Sequence, residues 1–365
     1  MDIRDERQKE FKELYLRRRG RSILNLSPRL GKTKIGVEIM KEIGGRILLA
    51  YPSLAIRKSW QDDFTKWGYD DEDVIFTTYK SIHKYKGEKF ALAVLDEIHS
   101  TSLGQMESIG EVLEGCTQAL GLTGTLNKDS ERDLSWYAGF DVIGSYSIEE
   151  AIKDKIVSDY EIRVIEVSLD DKYKTKHKSR TGVVYYTTEL MRYNRLCRMI
   201  DTMEEKHQDT FAPRIKRMQL LQNSIGKKNA IESMLSLFQE DRLLLFCATT
   251  AMADSFGIPA YHSKKKEEDM LNAFCKGEGN HLAAVKMLSA GITFKPLSLG
   301  IISCVDSNSE NFGQKVARFL NYEFENDKAV IYIVSSNTIV EKGWIRKALE
   351  FLDDTKVEWN YRLFS

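Results

Sequence analysis

Two short stretches of the chain combine residue types and spacings that suit phosphate chemistry. Ser27-Pro28-Arg29-Leu30-Gly31-Lys32-Thr33 follows the apolar run Ser22–Leu26 and precedes an amphipathic stretch from Lys34 to Ile43. At a turn between a buried strand and a helix start, backbone N–H groups can wrap a phosphate. A lysine placed like Lys32 reaches the outer oxygens, and a hydroxyl placed like that of Thr33 can ligate Mg2+. Arg29, Leu30, Gly31 and Lys34 complete this loop and the first helical turn as candidate nucleotide-binding residues. The full phosphate-loop pattern opens with a glycine at the position that Leu26 holds here. The second stretch, Asp96-Glu97-Ile98-His99, comes straight after Leu92-Ala93-Val94-Leu95. A buried parallel strand delivers such side chains to the carboxyl edge of its sheet. Asp96 is expected to hold the metal, directly or through water, and Glu97 to accept a proton from water attacking a terminal phosphate. Each stretch alone can also be read as a plain turn or an acidic loop; both in this order, each at a strand end, predict an ATP·Mg2+ site.

The elements that must position these residues are legible as a rhythm. From Arg21 to Phe140, apolar runs (Ser22–Leu26, Arg46–Tyr51, Val74–Thr77, Leu92–Leu95, Gly110–Leu113, Ala119–Leu122) alternate with amphipathic stretches (Lys34–Ile43, Ile56–Trp67). Such alternation predicts a parallel sheet covered by helices. It resumes at Arg242–Cys247 and runs through Gly257–Tyr261, Glu267–Cys275, Ala283–Leu288, Gly300–Val305, Asn311–Phe319 and Ala329–Val334, so the architecture looks duplicated. Between the halves, Glu189–Lys206 and Ile215–Phe238 read as helices rich in Arg, Lys, Met and Leu. A basic, tyrosine-containing segment from Asp170 to Tyr186 precedes them. Expected boundaries are 1–155 for a first domain with the ATP site, 156–240 for a connector partly belonging to the second domain, and 241–365 for the second domain.

Composition narrows the function classes. The chain has 365 residues, 54 basic against 54 acidic, and 42% apolar, which describes a folded chain and not a disordered or collagenous one. No apolar run approaches the roughly 18 residues of a spanning helix, so no membrane role is expected. Five widely spaced cysteines, none in a C-x-x-C pair, indicate neither a disulfide framework nor a zinc module and fit a reduced, cytoplasmic setting. The zero net charge conceals an uneven distribution: residues 172–228 hold 14 basic against 5 acidic residues, whereas residues 101–150 hold 2 against 9. The first of these segments suits a phosphate backbone as well as it suits a solvated surface.

With these motifs in place, the chain resembles the superfamily 2 helicases and translocases, from about Arg4 to Val334. Gln8 stands where the family's glutamine motif reads adenine. Tyr51-Pro52-Ser53 looks like motif Ia, and Phe76-Thr77-Thr78-Tyr79 with Ser81 like the next strand-contacting motif. The resemblance implies that Pro52, Ser53, Thr77 and Thr78 face nucleic-acid phosphates. Gly121-Leu122-Thr123-Gly124-Thr125-Leu126 resembles motif III, in which Thr123 would link the nucleotide site to the strand groove. Leu243–Ala248 resembles motif IV, and Tyr261-His262-Ser263 the loop after it, adding His262 and Ser263 to the nucleic-acid set. Ser289-Ala290-Gly291-Ile292-Thr293-Phe294-Lys295 is similar to motif V as found in phage recombination helicases, with Gly291 and Thr293 approaching a phosphate. Gln314-Lys315-Val316-Ala317-Arg318 resembles motif VI, and there Gln314 and Arg318 are implied to act on the transferred phosphoryl group. Ala317 replaces the family's glycine, and Asn321 falls where a second arginine is usual.

The resemblance implies two tandem RecA-like α/β domains, joined by a basic helical connector, that bind ATP and Mg2+ and move along or unwind nucleic acid. DNA, single-stranded, branched or forked, is the preferred partner, and a monomer of viral origin is compatible with so small a core. Two alternatives stand beside this: a double-strand translocase that does not separate strands, and a slow ATP-switched nucleic-acid-binding module suggested by Leu26, Ala317 and Asn321.

Overall fold

The computed structural model describes residues 2–178, 182–265, 268–285, 294, 295, 297, 299–305, 309–320 and 328–363. The chain divides after Ser158 into two compact units. In the first, the elements in order are α1 (Ile3–Arg18), β1 (Arg21–Leu26), α2 (Lys32–Ile43), β2 (Ile47–Tyr51), α3 (Leu54–Trp67), β3 (Val74–Thr78), β4 (Leu92–Asp96), α4 (Leu103–Val112), β5 (Ala119–Thr123), α5 (Lys128–Ala138), β6 (Asp141–Tyr146) and α6 (Ile148–Lys153). The six strands form one sheet in the order β3-β2-β4-β5-β1-β6, parallel throughout. Continuous apolar runs are what such a sheet needs, because helices cover both faces; every residue of β2 and β5 is buried. The short run Gly110–Leu113 is no strand. It closes α4, whose buried Met106, Ile109 and Val112 recur at helical spacing.

In the second unit the elements are β7 (Tyr160–Val167), β8 (Thr175–Lys178), β9 (Val184–Thr187), α7 (Glu189–Glu205), α8 (Phe211–Gln222), α9 (Ile225–Leu237), β10 (Leu243–Cys247), α10 (Thr250–Asp254), β11 (Ala260–Tyr261), α11 (Glu268–Cys275), β12 (His281–Val285), β13 (Leu299–Ile302), α12 (Ser309–Ala317), β14 (Ala329–Ser336), α13 (Ile339–Ala348) and β15 (Val357–Trp359). Seven strands form a second parallel sheet, β11-β12-β10-β13-β14-β7-β15, and β8 and β9 make a separate antiparallel ribbon. β7 pairs with β14 over its whole length. The stretch Ile215–Phe238, read from its periodicity as one helix, is two: α8 ends at Asn223, and Ser224, in extended conformation, starts α9.

Inside this unit lies a buried ion pair. The Lys227 ammonium on α9 meets the Glu341 carboxylate on α13, and both residues have no exposed surface. Lys227 also donates to the Ser303 carbonyl at 3.1 Å, and Glu341 accepts from the Ser336 N–H at 2.9 Å and from the Ser336 hydroxyl. Every partner that a buried charge requires is thus supplied by strand ends or helices of this one unit. Among the described residues no helix is long and apolar enough to cross a membrane.

Candidate active site

The register of the first sheet brings the predicted residues to one edge. Asn25 of β1 pairs with Thr123 of β5, and Asp96 of β4 pairs with Leu122 of β5, so three strand ends lie side by side. Beyond β1 the loop carries two residues in left-handed conformation, Arg29 (φ 66°) and Gly31 (φ 95°). Left-handed residues in such a turn bring successive N–H groups to one concave side, the arrangement that holds anions. Gly31 begins α2 with no side-chain capping bond. A Cβ at Gly31 would lie 2.4 Å from the Gln8 amide nitrogen, and the φ of 95° would strain any other residue there. Leu26, at the position of the missing glycine, is the buried last residue of β1.

Lys32 Nζ reaches back to the Leu26 carbonyl at a long 3.5 Å and lies where a side chain at Gly124 would be. Its charge also acts on Asp96. The Asp96 carboxyl is partly buried, and its pKa is pushed up to about 7, by burial first and by neighbouring Glu97 second; a hydrogen bond from Trp60 and the charge of Lys32 oppose the rise. Trp60 Nε1 donates to Asp96 Oδ2 at 2.8 Å, and the Tyr79 hydroxyl donates to the Asp96 carbonyl at 2.6 Å. Burial holds the Asp63 carboxyl above its ordinary value, and the neighbouring Lys66 charge and Thr33 hydroxyl oppose the rise. A hydroxyl and a carboxylate are hard oxygen donors, and Mg2+ is held by one or two such groups plus phosphate and water, so Thr33 and Asp96 fit that ion.

Glu97 is left-handed (φ 50°), which turns the chain sharply after β4. Its Oε2 lies 3.4 Å from His99 Nδ1 but, among the described residues, is buried without a hydrogen bond. His99 Nδ1 instead meets Thr123 Oγ1 at 2.7 Å, and the Thr123 hydroxyl donates to the Thr125 carbonyl at 2.9 Å. With the Thr123 hydroxyl hydrogen so placed, the imidazole donates from Nδ1. A second orphaned acceptor is Gln8 Oε1: the Gln8 amide nitrogen donates to the Leu30 carbonyl at 2.6 Å, leaving the buried oxygen unmatched beside the loop. A cleft of about 370 Å³ opens next to it, between α1 and α2. Lys34 points to α1, paired with Asp5 at 2.8 Å and lying 4.8 Å from the centre of the Trp67 ring.

Two further predicted pairs lie at neighbouring strand ends, where Tyr51 of β2 pairs with Thr78 of β3. Pro52 and exposed Ser53 form the entry to α3, while buried Thr77 and half-buried Thr78 end β3. In the second unit, Gln314 sits on α12 and Arg318 one residue past its end. The His262 ring is buried, with Nε2 3.0 Å from Asp254, beside exposed Ser263. Gly291, Thr293 and Asn321 lie outside the described residues. Sequence reasoning did not single out Trp60, because a tryptophan on an amphipathic helix reads as core; its buried N–H, which must find an acceptor, was the available signal.

The connector carries its own concave surface. Between the β8–β9 ribbon and α7 and α8 lies a cleft of about 500 Å³ lined by His177, Tyr185, Arg192, Arg195 and Lys216. The Arg195 guanidinium lies 5.7 Å from the centre of the Tyr185 ring, which His177 also neighbours at 5.5 Å. Glu189, the carboxylate in the cleft wall, is held by the N–H groups of Asp170 (3.1 Å) and Ile225 (2.9 Å). No carboxylate among the described residues pairs with Arg192, Arg195 or Lys216.

No protein-family profile and no curated protein sequence matches this chain. Solved structures do. A fragment described as an HsdR subunit of a type I restriction enzyme from Vibrio vulnificus superposes with a TM-score of 0.61 at 16% identity, over 96% of this chain and 66% of that one. The ATP-dependent type ISP restriction-modification enzyme LlaBIII, solved bound to DNA, gives 0.62 at 13% identity over 96% of this chain and 31% of that one. The Hef helicase domain of Pyrococcus furiosus gives 0.51 at 14% identity, over 95% and 97%. The chain therefore spans just under two thirds of the first structure and about a third of the second. At these identities the likeness is one of fold: two tandem RecA-like units with parallel sheets.

Proposed function

We propose that the protein is an ATP-driven nucleic-acid motor of the superfamily 2 type, acting on DNA. One observation carries the reading: in the first unit, a loop with two left-handed residues, Lys32, Thr33, Asp96 and Glu97 share a single sheet edge, and two buried acceptors there, Gln8 Oε1 and Glu97 Oε2, make no hydrogen bond among the described residues. In this reading Gln8 accepts from the adenine amine, and Lys32 with the loop N–H groups neutralises the outer phosphates. Glu97 takes the proton from the attacking water as the terminal phosphoryl group departs, and Gln314 and Arg318, through their likeness to motif VI, are proposed to act on that group. Thr33 and Asp96 would hold Mg2+, which supplies neutralisation of phosphate charge. The DNA track is supported by LlaBIII, a structure bound to DNA that shares this fold over 31% of its length, and by the connector-cleft cations, which no carboxylate among the described residues pairs. A preference for branched or forked DNA rests on the likeness of residues 289–295 to phage recombination helicases.

The test is steady-state ATPase activity with Mg2+ at fixed low salt, alone and with single-stranded DNA, duplex, forked DNA or RNA. Stimulation by DNA that Lys32→Ala abolishes is the expected result; turnover unaffected by Lys32→Ala would sink the assignment. The buried Leu26 at the loop entrance favours one second reading, a slow ATP-dependent switch, which predicts nucleotide binding with little turnover and no stimulation.

A further inference from the structure

Asp96 is held from two sides by donors that belong to the segments assigned to nucleic-acid contact. Trp60 stands on α3, the helix that starts immediately after Tyr51-Pro52-Ser53, and its indole N–H meets the Asp96 carboxylate. Tyr79 follows Thr77-Thr78 at the end of β3, and its hydroxyl meets the Asp96 carbonyl. Neither donor is loosely placed. Trp60 is 1% and Tyr79 2% exposed. The Trp60 ring lies so close to α2 that a Cβ at Gly36 would sit 2.9 Å from it, and it packs edge-on to Phe64 with centroids 5.8 Å apart. Phe64 in turn touches Phe76 of β3, 5.9 Å away, so α3 and β3 are packed together as well as being joined through Asp96.

We infer that Trp60 and Tyr79 are positioning residues through which the loops at Ser53 and at Thr77-Thr78 set the placement of Asp96, so that occupancy of the strand-contacting loops and occupancy of the nucleotide site are energetically linked. The inference rests on the motor reading above. Its physical content is geometric. A well-packed interior transmits small displacements instead of absorbing them. From Leu54 to Trp60 is six helical steps of about 1.5 Å each, or about 9 Å, and the helix between them is a rigid arm. A strand that draws Ser53 or Thr78 toward its phosphates therefore moves the donors at the other ends of those segments, and one carboxylate and one carbonyl of the same residue follow. Two hydrogen bonds fix both the side chain and the backbone of Asp96, which a single bond would leave free to pivot. Linkage makes the effect reciprocal: whatever factor nucleotide imposes on strand affinity, the strand imposes on nucleotide affinity.

The experiment measures that factor directly and does not depend on turnover. The affinity of a fluorescein-labelled oligodeoxythymidine strand is titrated by anisotropy with and without AMP-PNP and Mg2+, for the wild type, Trp60→Phe and Tyr79→Phe. Couplings between sites commonly run from about 5- to 150-fold. The expected outcome is a wild-type ratio in that range that falls to within about twofold of unity in either variant. Tyr79→Phe deletes one oxygen and keeps the ring in place, so it decides the matter even where Trp60→Phe lowers stability. Variants that keep the wild-type ratio overturn this inference alone. A wild type whose strand affinity ignores nucleotide overturns the motor reading on which it rests.

Discussion

At the residue scale, the consequential positions are those that a stability argument alone would not choose. Glu97 adopts a left-handed conformation that costs a non-glycine residue roughly 1–2 kcal/mol, and its Oε2 makes no hydrogen bond among the described residues. Strain and an unmatched acceptor on one side chain mark a place where the fold gives up stability, as reaction centres do. Glu97→Gln is expected to lower ATP turnover by about 10²–10⁴-fold, the usual worth of a proton acceptor, with an unchanged melting curve. Glu97→Gly should be equally inactive yet more stable by roughly 0.5–1 kcal/mol, since strain relief outweighs the entropy of glycine; a less stable glycine variant would contradict the strain argument. Asp96 gives a pH prediction. Its folded pKa of about 7 lies above the unfolded value near 3.9, so folding favours the protonated carboxyl. The stabilisation is complete below about pH 4 and is lost as pH rises through about 7. Without ligands, Asp96→Asn should therefore flatten the dependence of unfolding free energy on pH between these limits. At pH 8 it should be the more stable protein, because folding no longer opposes ionisation of a carboxyl at this position. Denaturant titrations across that range provide the check.

At the element scale, legibility followed locality. β4 and its Asp96-Glu97 end, or β1 and the loop beyond it, could be read from consecutive residues because a buried parallel strand is a continuous apolar run. The hydrogen bond from Trp60 to Asp96 could not, because its partners are 36 positions apart and meet only when α3 packs on the sheet. β7 also escaped. Its sequence Tyr-Glu-Ile-Arg-Val-Ile-Glu-Val mixes polar and apolar positions, and the polar side chains find individual partners, Arg163 with Glu161 and the Tyr332 and Tyr361 hydroxyls, Glu166 with Lys342. The break between α8 and α9 was hidden by side chains that keep helical periodicity across Asn223-Ser224. The connector cleft joins elements from three places along the chain, so its cations gather only in the folded state. Reversing Arg192, Arg195 and Lys216 to glutamate should weaken DNA binding and reduce the slope of log affinity against log salt by about 2–3, near one per lost phosphate contact. An unchanged slope would remove the cleft from the track.

On the scale of the whole molecule, the tandem RecA-like fold was legible because the same alternation of apolar runs and amphipathic stretches occurs twice, and the solved structures that share it bear out that reading. Less visible was how the second unit ties its helices to its sheet. Lys227 and Glu341 are 114 positions apart and wholly buried. In a sequence each is an ordinary charged residue on an amphipathic helix, and only the fold reveals that they neutralise one another. Replacing Lys227 with methionine strands a carboxylate in the interior and should cost about 3–5 kcal/mol, as should Glu341→Leu, whereas the double replacement should come close to the wild type. Denaturant midpoints of the three variants test this, and simple additivity of the two losses would refute it. The pair also has a meaning for descent. A lineage cannot cross from the charged to the apolar version one substitution at a time without passing through a crippled intermediate, so the two codons are bound to a shared fate. Descendants of this chain should keep both charges or lose both, leaving a correlated signature between positions 227 and 341 that sequence divergence elsewhere will not erase.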